Sequence, residues 1–176
     1  MVSFHGSYIP LQGVDKILDA AKLLKQDRNI RFRLIGPQKM INALQPEIEK
    51  ESLNVEMIPW LSTEELNEKL NEADIVLGIF GDTPKTDRVV PNKLFQGVAI
   101  KKPVITKDTP AVRELFSEQE VYLIKNHPEA IANAIRRLYE HDEERSLFAE
   151  RGYKKYLDKF TEKSLGKKLC GFIRKV

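Results

Sequence analysis

Ile75-Val76-Leu77-Gly78-Ile79-Phe80 carries no polar side chain and no alternation, the pattern of a central parallel strand covered on both faces. Parallel neighbours need helical crossovers, so the sequence on either side should switch between strand and helix. Working back towards the start, Ser62 with Glu65 forms a capping box that opens a short helix to about Asn71. Before it come a strand at Val55–Ile58 and a helix through Ile41, Leu44 and Ile48. Ile30-Arg31-Phe32-Arg33-Leu34-Ile35 alternates into the breaker Gly36-Pro37. Val14, Ile17, Leu18, Ala21 and Leu24 share one helical face. Val2-Ser3-Phe4-His5-Gly6 reads as a strand that runs at once into a glycine turn.

Working forward, Pro91 opens a helix, Pro103-Val104-Ile105-Thr106 is a strand, and Thr109-Pro110 starts another helix. Glu120–Ile124 is the last strand, with helix beyond it through Ile131, Ile135 and Leu138 to the end. About six strands alternating with helices predict an α/β fold, a Rossmann-like doubly wound parallel sheet, over residues 1–176 as one domain. A chain that opens inside its first strand is expected to be one half of something larger, the alternative being a native first strand.

The composition agrees with that class. The 176 residues are 41% hydrophobic and 31% charged, with 29 Lys plus Arg against 26 Asp plus Glu. That balance excludes disordered, collagen-like and disulfide-scaffold chains, and a net charge of +3 gives no sign of a nucleic-acid partner. Cys170 alone can form neither an internal disulfide nor a structural zinc site, which fits a reducing compartment. The apolar runs are too short to cross a bilayer, and no signal-peptide pattern opens the chain, so a cytoplasmic location is expected.

In a doubly wound sheet, ligands bind at the carboxyl ends of the strands near the switch in strand order. Gly6-Ser7-Tyr8-Ile9-Pro10-Leu11-Gln12-Gly13 follows the first strand, Gly36-Pro37 the second, and the loop from Gly81 to Lys93 the fourth. The first loop matches neither the dinucleotide fingerprint nor the Walker A loop. The long loop ends at Pro91, expected at the first helical position, which leaves the amides of Asn92, Lys93 and Leu94 pointing forward. A helix start is an anion site, and Lys93 set against the dipole, with Arg88 and Lys85 nearby, points to a phosphate-type ligand. A solvent-exposed lysine is the plainer alternative. His5 is expected to be a hydrogen-bonded structural histidine.

Phe4-His5-Gly6-Ser7-Tyr8-Ile9-Pro10, Gly13-Val14-Asp15, Leu34-Ile35-Gly36 and Ala73-Asp74-Ile75-Val76-Leu77 together resemble the group-1 (family 4) glycosyltransferases. So does Val90-Pro91-Asn92-Lys93-Leu94-Phe95-Gln96-Gly97-Val98-Ala99 with Lys102-Pro103-Val104-Ile105-Thr106 and then Glu114. The resemblance spans nearly the whole chain in order. It implies the C-terminal half of a GT-B fold, the half that binds a nucleotide-sugar donor, with an N-terminal acceptor-binding domain or subunit as partner. The donor-binding positions it implies are Gly6, Ser7, Gly13, Gly36, Trp60, Leu61, Gly81, Pro91, Asn92, Lys93, Leu94, Gln96 and Glu114, with the Pro59-Trp60-Leu61 loop facing the base. For Trp60, core packing is the alternative. For Glu114, placed in the first turn of its helix, the alternative is complementing the helix dipole.

Four positions depart from the family pattern: Gln96 stands where an acid holds the ribose, Arg88 where a glutamate lies near the sugar, and Ser7 and Gln12 where two cations neutralise the diphosphate. Either the cations have moved to Arg88 and Lys93, which would then act as the catalytic residues, or donor chemistry has been lost. The implied reaction is a retaining transfer in which preorganised donors stabilise charge developing on the diphosphate. His5, His127 and His141 are scattered with no Asp-x-Asp pair, so no cofactor and no metal are expected.

Residues 151–176 hold nine Lys and Arg against Asp158 and Glu162, a charge of +7, while the remaining residues sum to −4. With Tyr153, Tyr156, Leu157, Phe160, Leu165, Leu169, Phe172 and Ile173 at helical spacing, the segment is basic and amphipathic. It suits an anionic membrane surface, peripheral to the inner face. The resemblance implies packing on the partner domain instead. The competing functions are a non-catalytic nucleotide-sugar binding module and half of a nucleotide-sugar epimerase.

Overall fold

A computed structural model describes residues 1–173; Arg174, Lys175 and Val176, which the basic-segment reading includes, lie outside the described residues. Six parallel strands form one sheet: β1 (Val2–His5), β2 (Phe32–Gly36), β3 (Val55–Pro59), β4 (Ile75–Leu77), β5 (Val104–Lys107) and β6 (Tyr122–Ile124). Their order is β3-β2-β1-β4-β5-β6. The chain therefore builds outward from β1 to one edge, returns, and builds from β4 to the other. The crevice between β1 and β4 is the switch point.

The crossovers are α1 (Val14–Leu23), α2 (Gln38–Lys50), α3 (Thr63–Asn71), α4 (Asn92–Ala99) and α5 (Pro110–Leu115). After β6 come α6 (Pro128–Glu140), α7 (Asp142–Lys159) and α8 (Glu162–Ile173). The capping box holds: the Glu65 amide donates to Ser62 Oγ and the Ser62 amide to the Glu65 carboxylate. Thr109 caps α5 by accepting from the Val112 amide, with Pro110 behind it.

Both sheet faces are covered. On one, Phe4, Leu34 and Leu77 pack with Ile17 and Leu18 of α1 and Ile131, Ile135 and Leu138 of α6. On the other, Val76 and Val104 pack with Leu94 and Val98 of α4 and with Phe116. Apolar burial of this extent is the main stabilising term of the fold.

Several boundaries differ from the sequence-based expectation. The fourth strand ends at Leu77 rather than Phe80; past it the Ile79 amide donates to the Thr106 hydroxyl rather than to a strand carbonyl. β6 begins at Tyr122 rather than Glu120, whose carboxylate instead receives the Ser117 amide. Pro91 is not the first helical residue. With ψ at 143° it is the extended residue before α4, which starts at Asn92.

Candidate functional site

The loops that leave β1 and β4 are locked into each other at the switch point. Within the first, Pro10–Gln12 makes a short 3-10 turn that ends at Gly13, in the left-handed region at φ 65°. The Phe80 and Gly81 amides then donate to the Gln12 and Leu11 carbonyls at 3.1 Å. A Cβ on Gly13 would lie 2.5 Å from the Phe80 carbonyl carbon, and one on Gly81 would lie 2.3 Å from the Pro10 carbonyl oxygen. Both positions therefore require glycine for backbone-to-backbone approach, and Gly13 also for its conformation.

Gly6 and Gly36 serve the same packing. A Cβ on Gly6 would strike the Gln12 side chain, and one on Gly36 would lie 2.5 Å from the Tyr8 ring. Gln12 Oε1 accepts the Tyr8 amide at 2.9 Å, so it plugs the inside of the loop. Tyr8 is left at φ 56°, uncommon for a side chain of that size, with its hydroxyl buried and unpartnered. Burial raises the pKa of that hydroxyl. Ser7 is exposed at the loop's tip.

The β4–α4 loop is anchored at its base. Lys16 of α1 pairs with Asp82 at 2.5 Å, which holds the carboxyl below the usual carboxylate range, and Asn126 donates to the Gly81 carbonyl at 3.1 Å. Lys107 pairs with Asp87 at 2.7 Å. Arg88 ends the 3-10 turn Thr86–Arg88 and is exposed.

Lys93 does not project into solvent. Only 5% of it is exposed, its Nζ has no hydrogen-bond partner, and that atom sits 3.9 Å from the centroid of the Phe4 ring. A cation–π contact recovers part of the lost hydration, yet burial still pulls the ammonium down to about 7. Beside it, His5 Nε2 and Gln96 Oε1 are 2.9 Å apart, and His5 Nδ1 is buried without a partner. Burial first, and then the Lys93 charge, push His5 down to about 4, so the imidazole is neutral near pH 7.

Gly6, Ser7, Gly13, Gly81 and residues 91–96 thus gather at the carboxyl ends of β1 and β4. Leu94 of this group is fully buried and supports α4 from the core side. Gly36 closes β2. Trp60 and Leu61 follow β3, two strands across, about 10 Å away at the usual strand spacing. Trp60 is 50% exposed, so it is not a core residue. Glu114 is exposed in the last turn of α5, not the first, so it cannot complement that helix's dipole. It lines a groove of about 890 Å³ between α4, α5, α7 and α8, together with Asn92 and Gln96.

The sequence reading did not single out Tyr8 as strained, Phe4 as the seat of Lys93, or the Lys16–Asp82–Asn126 anchor. The bulky residue between two loop glycines was the available signal for the first. Among the described residues, no group of three or more His, Cys, Asp or Glu side chains is placed to hold a metal ion.

Chemically, this edge offers a buried cation with no counter-ion, a helix start, and exposed Asn92 and Ser7. It can receive an anionic group that brings its own oxygens to Lys93.

The chain is 26% identical over 161 residues to an uncharacterized glycosyltransferase of Methanocaldococcus jannaschii, and spans 90% of this chain but 43% of that protein. Among solved structures it is similar to Staphylococcus aureus TarM, in a complex that includes UDP, with a TM-score of 0.81 at 19% identity over 97% of this chain and 34% of that one. Anabaena HepE in complex with UDP gives 0.82 at 15% identity, over 99% and 49%. The C-terminal domain of a group 1 family glycosyltransferase, LpcC of Francisella tularensis, gives 0.78 at 17% identity, over 92% of this chain and 86% of that one. These likenesses establish the Rossmann-like fold. The family described as glycosyl transferase-like matches residues 15–170, nearly the whole chain, and the chain belongs to it.

Proposed function

We propose that this chain is the donor-binding half of a group-1 (family 4) retaining glycosyltransferase, which transfers a hexose from a nucleoside-diphosphate sugar to a glycan or glycolipid acceptor. The observation that carries the reading is the Lys93 ammonium, buried and unpartnered at the switch point. An uncompensated buried cation costs several kcal/mol unless an anion joins it. A diphosphate placed at the start of α4 supplies that anion, and its developing charge as the glycosidic bond breaks is what a preorganised cation stabilises.

Lys93, the exposed Arg88 and the amides of Ser7 and of Asn92 to Leu94 take this role, with no metal required. Gln96 and Asn92 face the ribose, and Trp60 with Leu61 the base. The acceptor half lies in a partner domain or subunit, and the chain is inactive without it. Cytoplasmic polysaccharide or glycolipid synthesis is the setting this chemistry suits.

One observation favours a non-catalytic nucleotide-sugar binding module instead: Gln12, at a position where the family carries a cation, spends its carbonyl on the Tyr8 amide. Calorimetric titration with UDP, GDP, ADP and CMP tests donor binding. Saturable binding of one diphosphate, weakened by Lys93→Ala, is expected; no binding at millimolar concentration contradicts it. Product formation by the chain joined to its acceptor half then separates the enzyme from the module.

A further inference from the structure

α4 carries no acidic side chain, and Asn92 and Gln96, one turn apart, share its exposed face at the switch point. What Gln96 can offer a ligand there is set from beneath by β1. Its Oε1 lies 2.9 Å from His5 Nε2, and its side chain makes no other hydrogen bond among the described residues. A carbonyl oxygen only accepts, so Nε2 carries the ring proton and Nδ1 is bare.

One observation fixes this orientation against the reverse, in which the amide is turned over and the ring proton moves to Nδ1. Nδ1 is buried with no partner, so a proton there would be an orphaned donor. The ring is neutral as well. Burial, and after it the Lys93 charge, push His5 down to about 4, so at neutral pH no second proton returns to Nδ1.

Gln96 therefore meets a ligand with its two N–H donors, while its carbonyl is turned back towards β1. A ligand hydroxyl is read there as an acceptor, through a hydrogen bond between neutral groups. Losing such a bond costs about two- to tenfold in affinity, against about ten- to a hundredfold where the protein's partner is a carboxylate. A pentose without its 2′-hydroxyl is thus only weakly penalised. Glu114 brings a carboxylate to the same groove, but from α5 rather than α4.

We infer that His5 is a positioning residue that holds the Gln96 carbonyl inward, and that the site in consequence takes 2′-deoxyribonucleoside diphosphates as well as ribonucleoside diphosphates. The inference rests on the donor-binding reading above, in which Gln96 faces the ribose, and it names the class of donor: a sugar carried on either kind of nucleotide.

The test is calorimetric titration of the 176-residue chain with UDP and dUDP, GDP and dGDP, ADP and dADP. For the base that binds, the two affinities of its pair should lie within about tenfold of each other. Gln96→Glu puts a carboxylate at the same exposed place. It should widen the gap by about tenfold and leave the melting temperature nearly unchanged. Nitrogen-15 NMR of the histidines should show His5 as the Nε2–H tautomer at pH 7, and Gln96→Glu should raise its pKa from about 4.

Three results overturn the inference and leave the donor-binding reading standing. One is a preference for the ribonucleotide well above tenfold in the parent; if Glu114→Gln removes it, the acid on α5 is the reader. Another is a gap that Gln96→Glu leaves unchanged. The third is His5 as the Nδ1–H tautomer. Binding of none of the six nucleotides overturns the donor-binding reading itself, and the inference with it.

Discussion

The switch point and α8 are opposite violations of ordinary burial. At the first, an ammonium is buried with no anion beside it. At the second, four large aliphatic and aromatic side chains stand in water with no apolar neighbour over most of their surface. Each departure costs stability in the free chain, and each names the chemistry of what is absent. The surroundings differ as well. Lys93 sits over the Phe4 ring, at the strand ends where two loops are joined by paired backbone hydrogen bonds. α8 packs chiefly on α7 and buries none of its own residues, so its sequence can change with little consequence for the rest.

The largest expected effect tests the locking. Gly13→Ala places a methyl against the Phe80 backbone at a left-handed φ. It should cost about 3 kcal/mol or more of unfolding free energy by urea denaturation. A loss below about 1 kcal/mol would mean that the two loops are not rigidly joined.

Next is the buried cation itself. Lys93→Met keeps the volume and removes the charge, so it should lower diphosphate affinity by about 2–3 kcal/mol without destabilising the free chain. The same substitution has a pH signature. Lys93 titrates near 10.5 in the unfolded chain and about 7 in the folded one. Between those values unfolding takes up a proton, so stability rises with pH. The parent should gain about 2 kcal/mol from pH 7 to pH 9, and Lys93→Met should show no such rise from this position. His5 adds a separate slope at lower pH: its folded value of about 4 against 6.5 means stability is lost as pH falls through that window.

Trp60→Ala should lower nucleotide affinity by about 1 kcal/mol, the scale of one base–aromatic stack. Half exposed as Trp60 is, its removal should leave the melting temperature nearly unchanged. An equal loss for ribose 5-phosphate, which has no base, would remove Trp60 from base recognition. Smallest of all, Leu169→Glu should change stability by no more than about 0.5 kcal/mol. A larger loss would show that this face of α8 is covered within the fold.

The architecture was legible because its signal is periodic. Ile75–Phe80 without alternation, the helical face of Val14 to Leu24, and the Ser62–Glu65 box are local patterns, and each became the element it predicted. Boundaries were less legible where long-range contacts enter, as past the end of β4, where the Ile79 amide donates to the Thr106 hydroxyl 27 positions on.

The site was legible as a place and not as a geometry. Strand ends and glycines marked the switch point. Nothing local says that a first-turn lysine turns inward over Phe4, a residue 89 positions earlier, or that Gln12 fills its own loop. Four of the donor-site glycines turned out to be needed for packing between loops, a role that sequence alone does not separate from approach to a ligand.

The most direct test is a calorimetric titration of the chain at pH 8 with the nucleoside diphosphate that binds it, run in buffers of different ionisation enthalpy. Lys93 is mostly uncharged in the free protein at that pH and must be charged beside a diphosphate. Binding should therefore take up close to one proton, and Lys93→Met should bind weakly with no uptake. Binding without proton uptake, at an affinity that Lys93→Met leaves unchanged, would contradict the account.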